Sequence, residues 1–522
     1  MSEALIYNPD VEADVCLLLE GTFPYVRGGV STWVKQIIEG MPELTFSIIF
    51  LGAHDGDYEK PAYEIPENVA HIELHFLLGG EVSDNEKKPP FWKPTPSKAD
   101  QFEVNSDLHT ALSSTEGAVS DDVARSFAKL LIGPGAITEK ELQHSKQSWL
   151  TIKKKYEEAP EGLDFNHFFW TVRAMHSPLF TLARIASNAP KARVYHSVST
   201  GYAGFLGSLL NSQTGSPYVI SEHGIYTKER ELDLAQVDWI PEELDPFKVG
   251  LNDNMNYLRS VWIRFFQSLG RMSYASANEV FTLYNGNRLR QMKDGAPDEK
   301  LTIVPNGVNV ERFRKVRRPD DAPVPPVLAL IGRVVPIKDI KNFIRAMRII
   351  RAKVPEAEGW LVGPQDEDPD YTRECKLLVD SLDLGNAIKF LGFQSPDDIF
   401  PKIGLSVLTS VSEGQPLVVL EGYAAGIPTV TTDVGSCSEL VYGVSEDDIA
   451  IGSSGAVVPI ANPSEFAEAV IELLSDEDNW RAARDAAVKR VETYYDEKDM
   501  IRRYRDIYET QLKLVNPVSK AS

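Results

Sequence analysis

Short apolar strands alternate with amphipathic helices in two separate stretches, and this alternation constrains the fold of the chain most. The first stretch opens with the strand ADVCLLLEG and the helix VSTWVKQIIEGM, and further strand-like runs follow as far as NEVFTLYN. The second stretch opens with VLALIGRV and continues to IPTVTTDVGS. Alternation of this kind favours parallel sheets wrapped by helices. We therefore predict an α/β protein with two parallel-sheet domains.

The length and the breaks in the pattern predict how the domains are arranged. The 522 residues are too many for one core and indicate two or three domains. A loop at 306–326, rich in proline and charge, predicts a boundary between a first domain at 1–305 and a second at 306–495. Between about 80 and 163 the alternation stops, and KKPPFWKPTP and EKELQHSKQSWLTIKKKYEEA indicate an insertion or helical subdomain. The stretch 463–514 is helical in pattern.

The composition of the chain argues against several classes of binding partner. A formal net charge of -22 argues against binding to nucleic acid or a general polybasic attachment to acidic lipid. No apolar run reaches the roughly 18 residues of a membrane span, and MSEALIYNPDVEAD lacks the order of a secretory signal. Three widely spaced cysteines, Cys16, Cys375 and Cys437, are predicted to be buried thiols in a reducing cytoplasm. We therefore expect a cytoplasmic protein without a membrane anchor of its own.

Two glutamates eight positions apart, Glu413 and Glu421, lie in SEGQPLVVLEGYAAG between two predicted strands. The strand Leu405–Leu408 places Glu413 on the loop at its carboxyl end, and Glu421 follows about two turns along the next helix. Pro416 suits the first turn of that helix, where a missing N–H costs nothing. Ligands bind at this edge of open α/β sheets. Three residues of the same turn can offer backbone N–H groups to phosphate or sugar oxygens: Gly414, Gln415 and Leu417.

A pair of cations and a pair of glycines follow other strands. Arg333 is predicted at the end of a strand and Lys338 at the start of the next helix, so both can face a diphosphate. Gly28 and Gly29, in FPYVRGGVSTW, lie between a strand and a helix. Paired glycines allow close approach of backbone to a ligand, and the N-terminus of the helix can receive an anion.

Two histidines and two aspartates complete the candidate residues. His223, in VISEHGIY, and His196, in VYHSVSTGYAG, each follow an apolar strand at its ligand-facing end. Asp366 and Asp368, in QDEDPD, are interpreted as a solvated acidic loop rather than a metal site. No G-x-x-x-x-G-K-[ST] loop, no G-x-G-x-x-G fingerprint at the first strand and no nucleophile elbow is present.

These motifs together resemble those of the retaining glycosyltransferases of family 4. The matching segments are RGGVSTW, EHGIY, VPNGVNVERF, GRVVPIK and SEGQPLVVLEGYAAGIPTVTTDVGS, and only the region 80–163 is left without a counterpart. The resemblance implies the GT-B fold, in which two Rossmann-like, doubly wound parallel-sheet domains face a cleft. It also implies a helical insertion in the first domain and a C-terminal helix, at 496–522, that crosses back to it.

For the second domain, the resemblance implies a site for a nucleotide-diphosphate sugar, here a UDP-sugar. Arg333 and Lys338 would bind the diphosphate and act in catalysis. Glu421 would bind the ribose hydroxyls, and Glu413 would contact the donor sugar near its reacting face. No metal and no other cofactor is implied.

For the first domain, the resemblance implies an acceptor site. Gly28 and Gly29 would approach the phosphates, and His223 would lie beside the sugar and serve in catalysis. His196 is a candidate contact for sugar or acceptor. One departure stands out, because many relatives have a small run such as Gly-Phe-Gly after the first glutamate. This chain has Gly-Gln-Pro there, and Pro416 removes one N–H donor.

The segments CLLLEGTFPYVRGGVSTWV and SEHGIYTKERE resemble most closely those of glycosyltransferases that build bacterial exopolysaccharide. This implies a UDP-linked hexose or N-acetylhexosamine as donor and a growing polysaccharide as acceptor. It also implies membrane-embedded synthase and export proteins as partners, which would recruit the chain to the membrane. Two alternatives stay open: a UDP-sugar epimerase on the same fold, and a noncatalytic nucleotide-sugar-binding subunit of a membrane synthase.

Overall fold

The computed structural model describes residues 8, 10–58, 60–77, 99–113, 121–132, 136–236 and 252–515. The predicted loop KKPPFWKPTP lies outside these residues. The chain divides into two compact units, and each is described by itself. Unit 1 consists of Met1–Thr282, Arg288–Thr302 and Arg505–Ser522, and unit 2 consists of Leu283–Asn287 and Ile303–Tyr504.

The strands are, in chain order, β1 (Ala13–Glu20), β2 (Phe46–Gly52), β3 (Val69–Phe76), β4 (Ala192–Ser197), β5 (Tyr218–Glu222), β6 (Glu279–Thr282), β7 (Leu301–Ile303), β8 (Val327–Ile331), β9 (Glu358–Val362), β10 (Ile388–Gly392), β11 (Leu405–Leu408), β12 (Thr429–Thr432) and β13 (Gly455–Val458). The α-helices are α1 (Gly29–Gly40), α2 (Ala99–Ser113), α3 (Asp121–Ile132), α4 (Glu139–His144), α5 (Lys146–Glu157), α6 (Phe165–Asn188), α7 (Tyr202–Thr214), α8 (Tyr226–Gln236), α9 (Asn252–Ser276), α10 (Asn285–Asp294), α11 (Val310–Arg314), α12 (Ile340–Lys353), α13 (Pro369–Ser381), α14 (Pro396–Ile399), α15 (Leu417–Ala424), α16 (Cys437–Tyr442), α17 (Glu446–Ile449), α18 (Pro463–Ser475), α19 (Glu477–Tyr494) and α20 (Glu497–Leu514).

Unit 1 is built on a seven-stranded sheet in the order β3-β2-β1-β4-β5-β6-β7. β1 pairs in parallel with both β2 and β4, so that Leu17 lies between Ile48 and His196. Every residue of β2 is buried, as expected for a parallel strand that is covered on both faces. The order of the strands reverses between β1 and β4, which is where open α/β sheets place their ligand crevice.

The helical insertion packs into the core of unit 1. Phe102 and Leu112 of α2 and Phe127 of α3 belong to the same buried cluster as Leu18 of β1. The segment EKELQHSKQSWLTIKKKYEEA is helical as predicted, but it forms two helices, α4 and α5, which meet at Ser145. The Ser145 side chain accepts a hydrogen bond from the N–H of Ser148 and thereby caps α5. Helices α2 and α3 are therefore part of the first core, whereas Ile152 of α5 packs with Phe168 of α6 in a smaller, separate cluster.

Unit 2 is built on a six-stranded sheet in the order β10-β9-β8-β11-β12-β13. The pairings of β8 with β9 and β11, and of β12 with β11 and β13, are parallel. A second core covers this sheet, with Leu330 of β8 and Phe343 of α12 fully or almost fully buried. The prediction of two doubly wound parallel-sheet domains is therefore confirmed. The short strands β7 and β13 were not predicted, because four or fewer residues at a sheet edge carry little periodicity.

The last helix, α20, has its residues in both units. Residues up to Tyr504 belong to unit 2, and residues from Arg505 onward belong to unit 1. Within unit 1, Arg505 donates from Nε to Glu43 at 2.7 Å, and Gln511 donates from Nε2 to Glu279 at 3.0 Å. The end of the helix is thus held by polar contacts to the first unit's own residues.

The three cysteines are buried free thiols, as predicted. Burial raises the pKa of the Cys16 and Cys437 thiols to about 12, so neither is a thiolate at neutral pH.

Of the helices described, none combines the length and the apolar character needed to cross a lipid bilayer.

Candidate active site

The two glutamates lie where the sequence predicted, on the loop and helix that follow β11. Glu413 is on the loop, and Glu421 is in α15. Pro416 is the N-cap of α15 and makes no capping side-chain bond, so the helix begins one residue later than Pro416. Leu417 therefore opens the helix. Gly426, with a φ of 75°, follows its end in the left-handed conformation that closes many helices.

Lys338 and Glu413 form the central ion pair of this edge. Lys338 Nζ lies 2.5 Å from Glu413 Oε1, and both side chains are mostly buried. The Ser410 hydroxyl also donates to Glu413 Oε1, at 2.6 Å. The cation and the carboxylate are therefore held together at the carboxyl edge of the sheet.

The backbone around Lys338 is attached to the loop that follows β11. Lys338 lies in a single 3-10 turn, Pro336–Lys338, just before α12, whereas the sequence placed it at the start of the helix itself. The Thr409 hydroxyl donates to the Lys338 carbonyl at 2.8 Å, and the N–H of Val411 donates to the Ile337 carbonyl at 2.9 Å. Asp339, with a φ of 40°, ends the turn and caps α12. These bonds fix the position of Lys338 relative to Glu413.

Arg333 follows β8 and points to a different carboxylate. Its Nη1 lies 2.5 Å from Glu367 Oε1, and the two side chains are 50% and 47% exposed. Exposed ion pairs contribute only about 0–1 kcal/mol, so an anionic ligand can take the guanidinium from Glu367 at little cost. Arg333 is therefore an available cation, whereas Lys338 is already engaged.

Glu421 lies in a poorly hydrated environment. Burial raises the pKa of its carboxyl to about 7; Arg312 lowers it and Asp397 raises it further. Arg312 is itself held by Asp397, with Nε at 3.0 Å from Oδ1, so its charge is largely committed. A carboxylate in this state gains from hydroxyl donors, because hydrogen bonds to the charged form restore the lost solvation.

The turn between the glutamates is packed against its neighbours. A Cβ atom on Gly435 would lie 2.1 Å from the Gly414 carbonyl oxygen, and Gly435 has a φ of 57°. The N–H of Ser436 donates to the same carbonyl at 2.8 Å. Gln415, predicted only as a backbone donor, places its side-chain Oε1 at 2.7 Å from the N–H of Asn306. Sequence reasoning missed Ser410, which lies only three residues before Glu413. It also missed Gly435 and the Asn306 contact, because their partners are distant in the chain.

In unit 1 the glycine pair opens α1. Gly28 is the N-cap, α1 begins at Gly29, and no side chain caps the helix. Gly28 has an extended φ of 171°, and a Cβ atom there would meet nothing within 4 Å. Neither the backbone conformation nor the packing of unit 1 therefore requires glycine at this position.

The two histidines meet around Trp33 of α1. The Trp33 ring lies 4.6 Å from the His223 ring and 5.8 Å from the His196 ring, both in edge-to-face geometry. His223 is buried, and burial lowers the pKa of its imidazole to about 4. The ring is therefore neutral at physiological pH, and it can donate or accept a hydrogen bond without carrying charge.

His196 has no exposed surface, and its two nitrogens lie at hydrogen-bond distance from internal groups. Nδ1 is 2.6 Å from the Tyr508 hydroxyl of α20, and Nε2 is 2.8 Å from the Ser221 hydroxyl. Burial lowers the pKa of this imidazole to about 3. This geometry favours a structural role over the predicted contact with sugar or acceptor. The sequence showed a histidine at a strand end but could not show that α20 covers it.

A buried carboxylate next to His223 was also missed. Glu222 is 1% exposed and accepts hydrogen bonds from the Tyr274 hydroxyl at 2.6 Å and the Gln291 amide at 2.9 Å. The Thr200 hydroxyl donates to it at 2.8 Å. Burial raises the pKa of this carboxyl. The network anchors the end of β5, from which His223 follows directly.

The acidic loop after β9 has a structural use. Asp368 accepts the N–H of Tyr371 at 2.9 Å and is the N-cap of α13. Within the ranges that the structure describes, no three His, Cys, Asp or Glu side chains gather as a candidate metal site.

Two family models match the chain. The model described as "Domain of unknown function (DUF3492)" matches residues 13–299, and the model described as "Glycosyl transferases group 1" matches residues 325–476. The second match includes Arg333, Lys338, Glu413 and Glu421. These four candidate residues therefore lie within a glycosyltransferase-type domain.

Curated relatives match parts of the chain. A D-inositol 3-phosphate glycosyltransferase of Nocardia farcinica is 28% identical over 202 residues, which are 36% of this chain and 42% of the relative. An N,N'-diacetylbacillosaminyl-diphospho-undecaprenol alpha-1,3-N-acetylgalactosaminyltransferase of Campylobacter jejuni is 25% identical over 287 residues, 52% of this chain and 70% of the relative. The match thus spans less than half of the first relative.

Solved structures match over almost the full length. Anabaena Alr3699/HepE in complex with UDP has a TM-score of 0.56 at 12% identity and covers 95% of this chain and 100% of its own. Sucrose-phosphate synthase from Thermosynechococcus elongatus has a TM-score of 0.56 at 14% identity, covering 96% and 100%. At such identities the likeness shows the fold alone, and it confirms the GT-B prediction. Since its first family model covers more than half of its length, the chain belongs to the DUF3492 family, with a glycosyl transferases group 1 domain in its second half.

Proposed function

We propose that this protein is a retaining glycosyltransferase that moves a sugar from a UDP-sugar to a growing polysaccharide. The observation that carries the proposal is the Lys338–Glu413 pair at the carboxyl edge of the unit 2 sheet. It lies in the segment that matches glycosyl transferases group 1, and the same segment carries the available cation Arg333 and the desolvated Glu421.

The chemistry follows from where charge develops. Breaking the anomeric bond leaves negative charge on the diphosphate and positive character on the sugar. Lys338 and Arg333 stabilise the diphosphate, and one preorganised donor of this kind is worth about 3–4 kcal/mol in the transition state. Glu413, once Lys338 turns toward the diphosphate, steadies the positive character of the sugar. Lys338 thus stabilises the negative charge that the reaction creates, and Glu413 stabilises the positive charge.

The remaining residues bind and orient the donor. Glu421 accepts hydrogen bonds from the ribose hydroxyls, which favours its ionised form. Backbone N–H groups of Gly414, Gln415 and Leu417 serve phosphate or sugar oxygens. In unit 1, Gly28 and Gly29 approach the phosphates, and neutral His223 hydrogen-bonds a sugar hydroxyl without adding charge.

The finer assignment rests on the resemblance of several segments to those of PelF. That protein is the cytoplasmic glycosyltransferase of the Pel exopolysaccharide system, so we assign this chain to family 4 and to synthesis of Pel polysaccharide for the biofilm matrix. A UDP-hexose or UDP-N-acetylhexosamine is the donor. Membrane-embedded synthase and export proteins are the partners, and they recruit the protein from the cytoplasm to the membrane. UDP in complex with the structural neighbour HepE supports the choice of nucleotide.

Incubation of the purified protein with single UDP-sugars tests the proposal. We expect slow release of UDP from one of them, accelerated by a polysaccharide or oligosaccharide acceptor and unchanged by EDTA. A metal-dependent transferase would lose activity with EDTA. An epimerase would instead convert the sugar without releasing UDP, and a noncatalytic subunit would bind UDP and leave every UDP-sugar intact.

A further inference from the structure

The side chain of Gln415 connects the turn between the two glutamates to a distant part of unit 2. Gln415 is 7% exposed, and its Oε1 accepts the backbone N–H of Asn306 at 2.7 Å. The Asn306 Nδ2 lies 3.4 Å from the Gln415 carbonyl oxygen. Because only the oxygen of an amide can accept from an N–H, this bond decides how the side chain is turned. It also satisfies a buried backbone donor that would otherwise be costly.

Asn306 belongs to segment 303–309, where the chain enters unit 2 from unit 1. The N–H of Val308 donates to the Tyr495 carbonyl at 2.9 Å, and the N–H of Glu497 donates to the Val308 carbonyl at 3.0 Å. A Cβ atom on Gly307 would lie 2.5 Å from the Glu497 Cα. The segment is therefore fastened to the start of α20, the helix along which the chain leaves unit 2.

The Gln415 side chain makes the shorter of the two contacts between Asn306 and this turn, at 2.7 Å, whereas the contact to the Gln415 carbonyl oxygen is 3.4 Å long. Glu413 is fixed by Lys338, and the Gly414 carbonyl is fixed by the N–H of Ser436. Pro416 follows directly and has no N–H with which to make such a bond. Loss of the Gln415 side-chain bond would leave the second half of the turn to the longer Asn306 contact and so loosen it, while the Lys338 contact and Glu421 stay in place.

Resting on the proposed function, we propose that Gln415 is a positioning residue of the donor site. Its amide oxygen ties the turn 413–416 to segment 303–309, so that Glu413 meets the donor sugar at one fixed place. A run of small residues at this position would leave the turn conformationally free. In the Gly-Gln-Pro sequence, the Gln415 side chain instead bonds the turn to segment 303–309 as a tether. Turnover depends on this tether, whereas binding of the nucleotide depends on it little, because Arg333, Lys338 and Glu421 bind most of the nucleotide under the proposed function.

Three substitutions at this position test the proposal. Gln415→Leu keeps roughly the size of the side chain and removes the hydrogen-bond acceptor. Gln415→Asn shortens the side chain by one methylene, so that the amide no longer reaches Asn306. Gln415→Glu keeps an acceptor oxygen at the same position. We expect kcat to fall about tenfold in Q415L and Q415N, with the Kd for UDP within twofold of the wild type by calorimetry. At pH 8, Q415E should recover most of the lost kcat. Thermal unfolding of each variant checks that it folds.

Hydrogen exchange gives a readout that does not depend on turnover. Peptides that cover 303–309 and 410–416 should exchange about tenfold faster in Q415L than in the wild type, and Q415E should restore the protection. Wild-type exchange rates in Q415L, or wild-type kcat in both Q415L and Q415N, would overturn the tether. Equal loss in Q415E and Q415L together with weaker donor binding would also overturn it, because the amide nitrogen would then be a donor ligand. A wild-type protein that processes no UDP-sugar would refute the proposed function alone, and exchange would still decide the tether.

Discussion

The carboxyl edges of the two sheets differ in how they treat charge. In unit 2, Lys338 and Arg333 are paired with carboxylates at short distance, but the Arg333 pair is half exposed and easily exchanged. In unit 1, His196 and His223 are buried and neutral, and Glu222 is enclosed by donors. One edge therefore carries ion pairs, and the other carries buried histidines that are neutral. Under the proposed function, the charged edge would bind the diphosphate and neutral His223 would bind a sugar hydroxyl.

The largest effect should come from the charge-bearing edge. Lys338→Ala removes the cation that stabilises the departing diphosphate, and we expect kcat to fall about 100- to 1,000-fold. Release of UDP from the UDP-sugar measures it. Lys341→Ala is a matched control, because Lys341 is a half-buried lysine on the helix that follows, and its Nζ lies 2.6 Å from Glu374 Oε2. Equal losses in the two variants would show that general charge, rather than this position, matters.

A smaller loss is expected from the neutral edge. His223→Ala removes the proposed hydrogen bond to the sugar, and we expect turnover to fall about tenfold to 100-fold with an unchanged Kd for UDP. Because burial holds the pKa of His223 at about 4, the ring should stay neutral and add no titration to the activity between pH 5.5 and 8. His167→Ala, at an exposed histidine of α6, is the control. An activity step near pH 6.5 that disappears in H223A would contradict the neutral assignment.

The pH dependence of donor binding tests the assignment of Glu421. Its raised pKa of about 7 means that the carboxylate is mostly protonated at pH 6 and mostly ionised at pH 8. If ribose binds the ionised form, affinity should fall about tenfold from pH 8 to pH 6. UDP-glucose is the better ligand for calorimetry, because the terminal phosphate of UDP itself has a pKa of about 6 and would add its own pH dependence. Glu421→Gln should bind about tenfold more weakly at pH 8 and show no such slope; a retained slope would refute the assignment.

The smallest effect on activity is expected where His196 meets α20. Tyr508→Phe removes the hydroxyl beside His196 Nδ1 and should cost about 1–3 kcal/mol of unfolding free energy, with UDP affinity unchanged. Burial lowers the pKa of His196 in the folded chain to about 3, from an ordinary value of 6.5. His196 therefore takes up a proton at a higher pH in the unfolded chain than in the folded chain. The free energy of unfolding should have its full His196 contribution above pH 6.5 and should decrease as the pH falls toward 3. Chemical denaturation at several pH values measures both, and a loss of UDP affinity in Y508F would contradict a purely structural role.

The regular elements were predictable because their periodicity is local. The strand Leu405–Leu408 was placed to the residue, and the helix bearing Glu421 to within one residue of its start. The Lys338 position was less accurate, because the left-handed Asp339 inserts a separate turn before α12. β7 and β13 were missed because they are short and lie at sheet edges.

The candidate site was only partly predictable, since its residues were found one by one. The strand-end rule selected Lys338, Glu413 and His223 as candidates, and it also selected His196, although less strongly than His223; α20 covers His196. The same rule predicted only a backbone donor at Gln415, because Asn306, the partner of its side chain, is more than a hundred residues away in the sequence. Contacts of that kind leave no local pattern.

Alternating apolar segments, turn residues and strand-end polar groups determined by themselves that this chain forms two helix-covered parallel sheets with polar groups at one edge of each. The folded chain alone decided that Lys338 bonds Glu413, that Arg333 is free to exchange Glu367 for an anion, and that His196 is sealed inside. The physical reason is that secondary structure responds to neighbours in sequence, whereas charge state and exposure respond to whatever the rest of the chain packs against them.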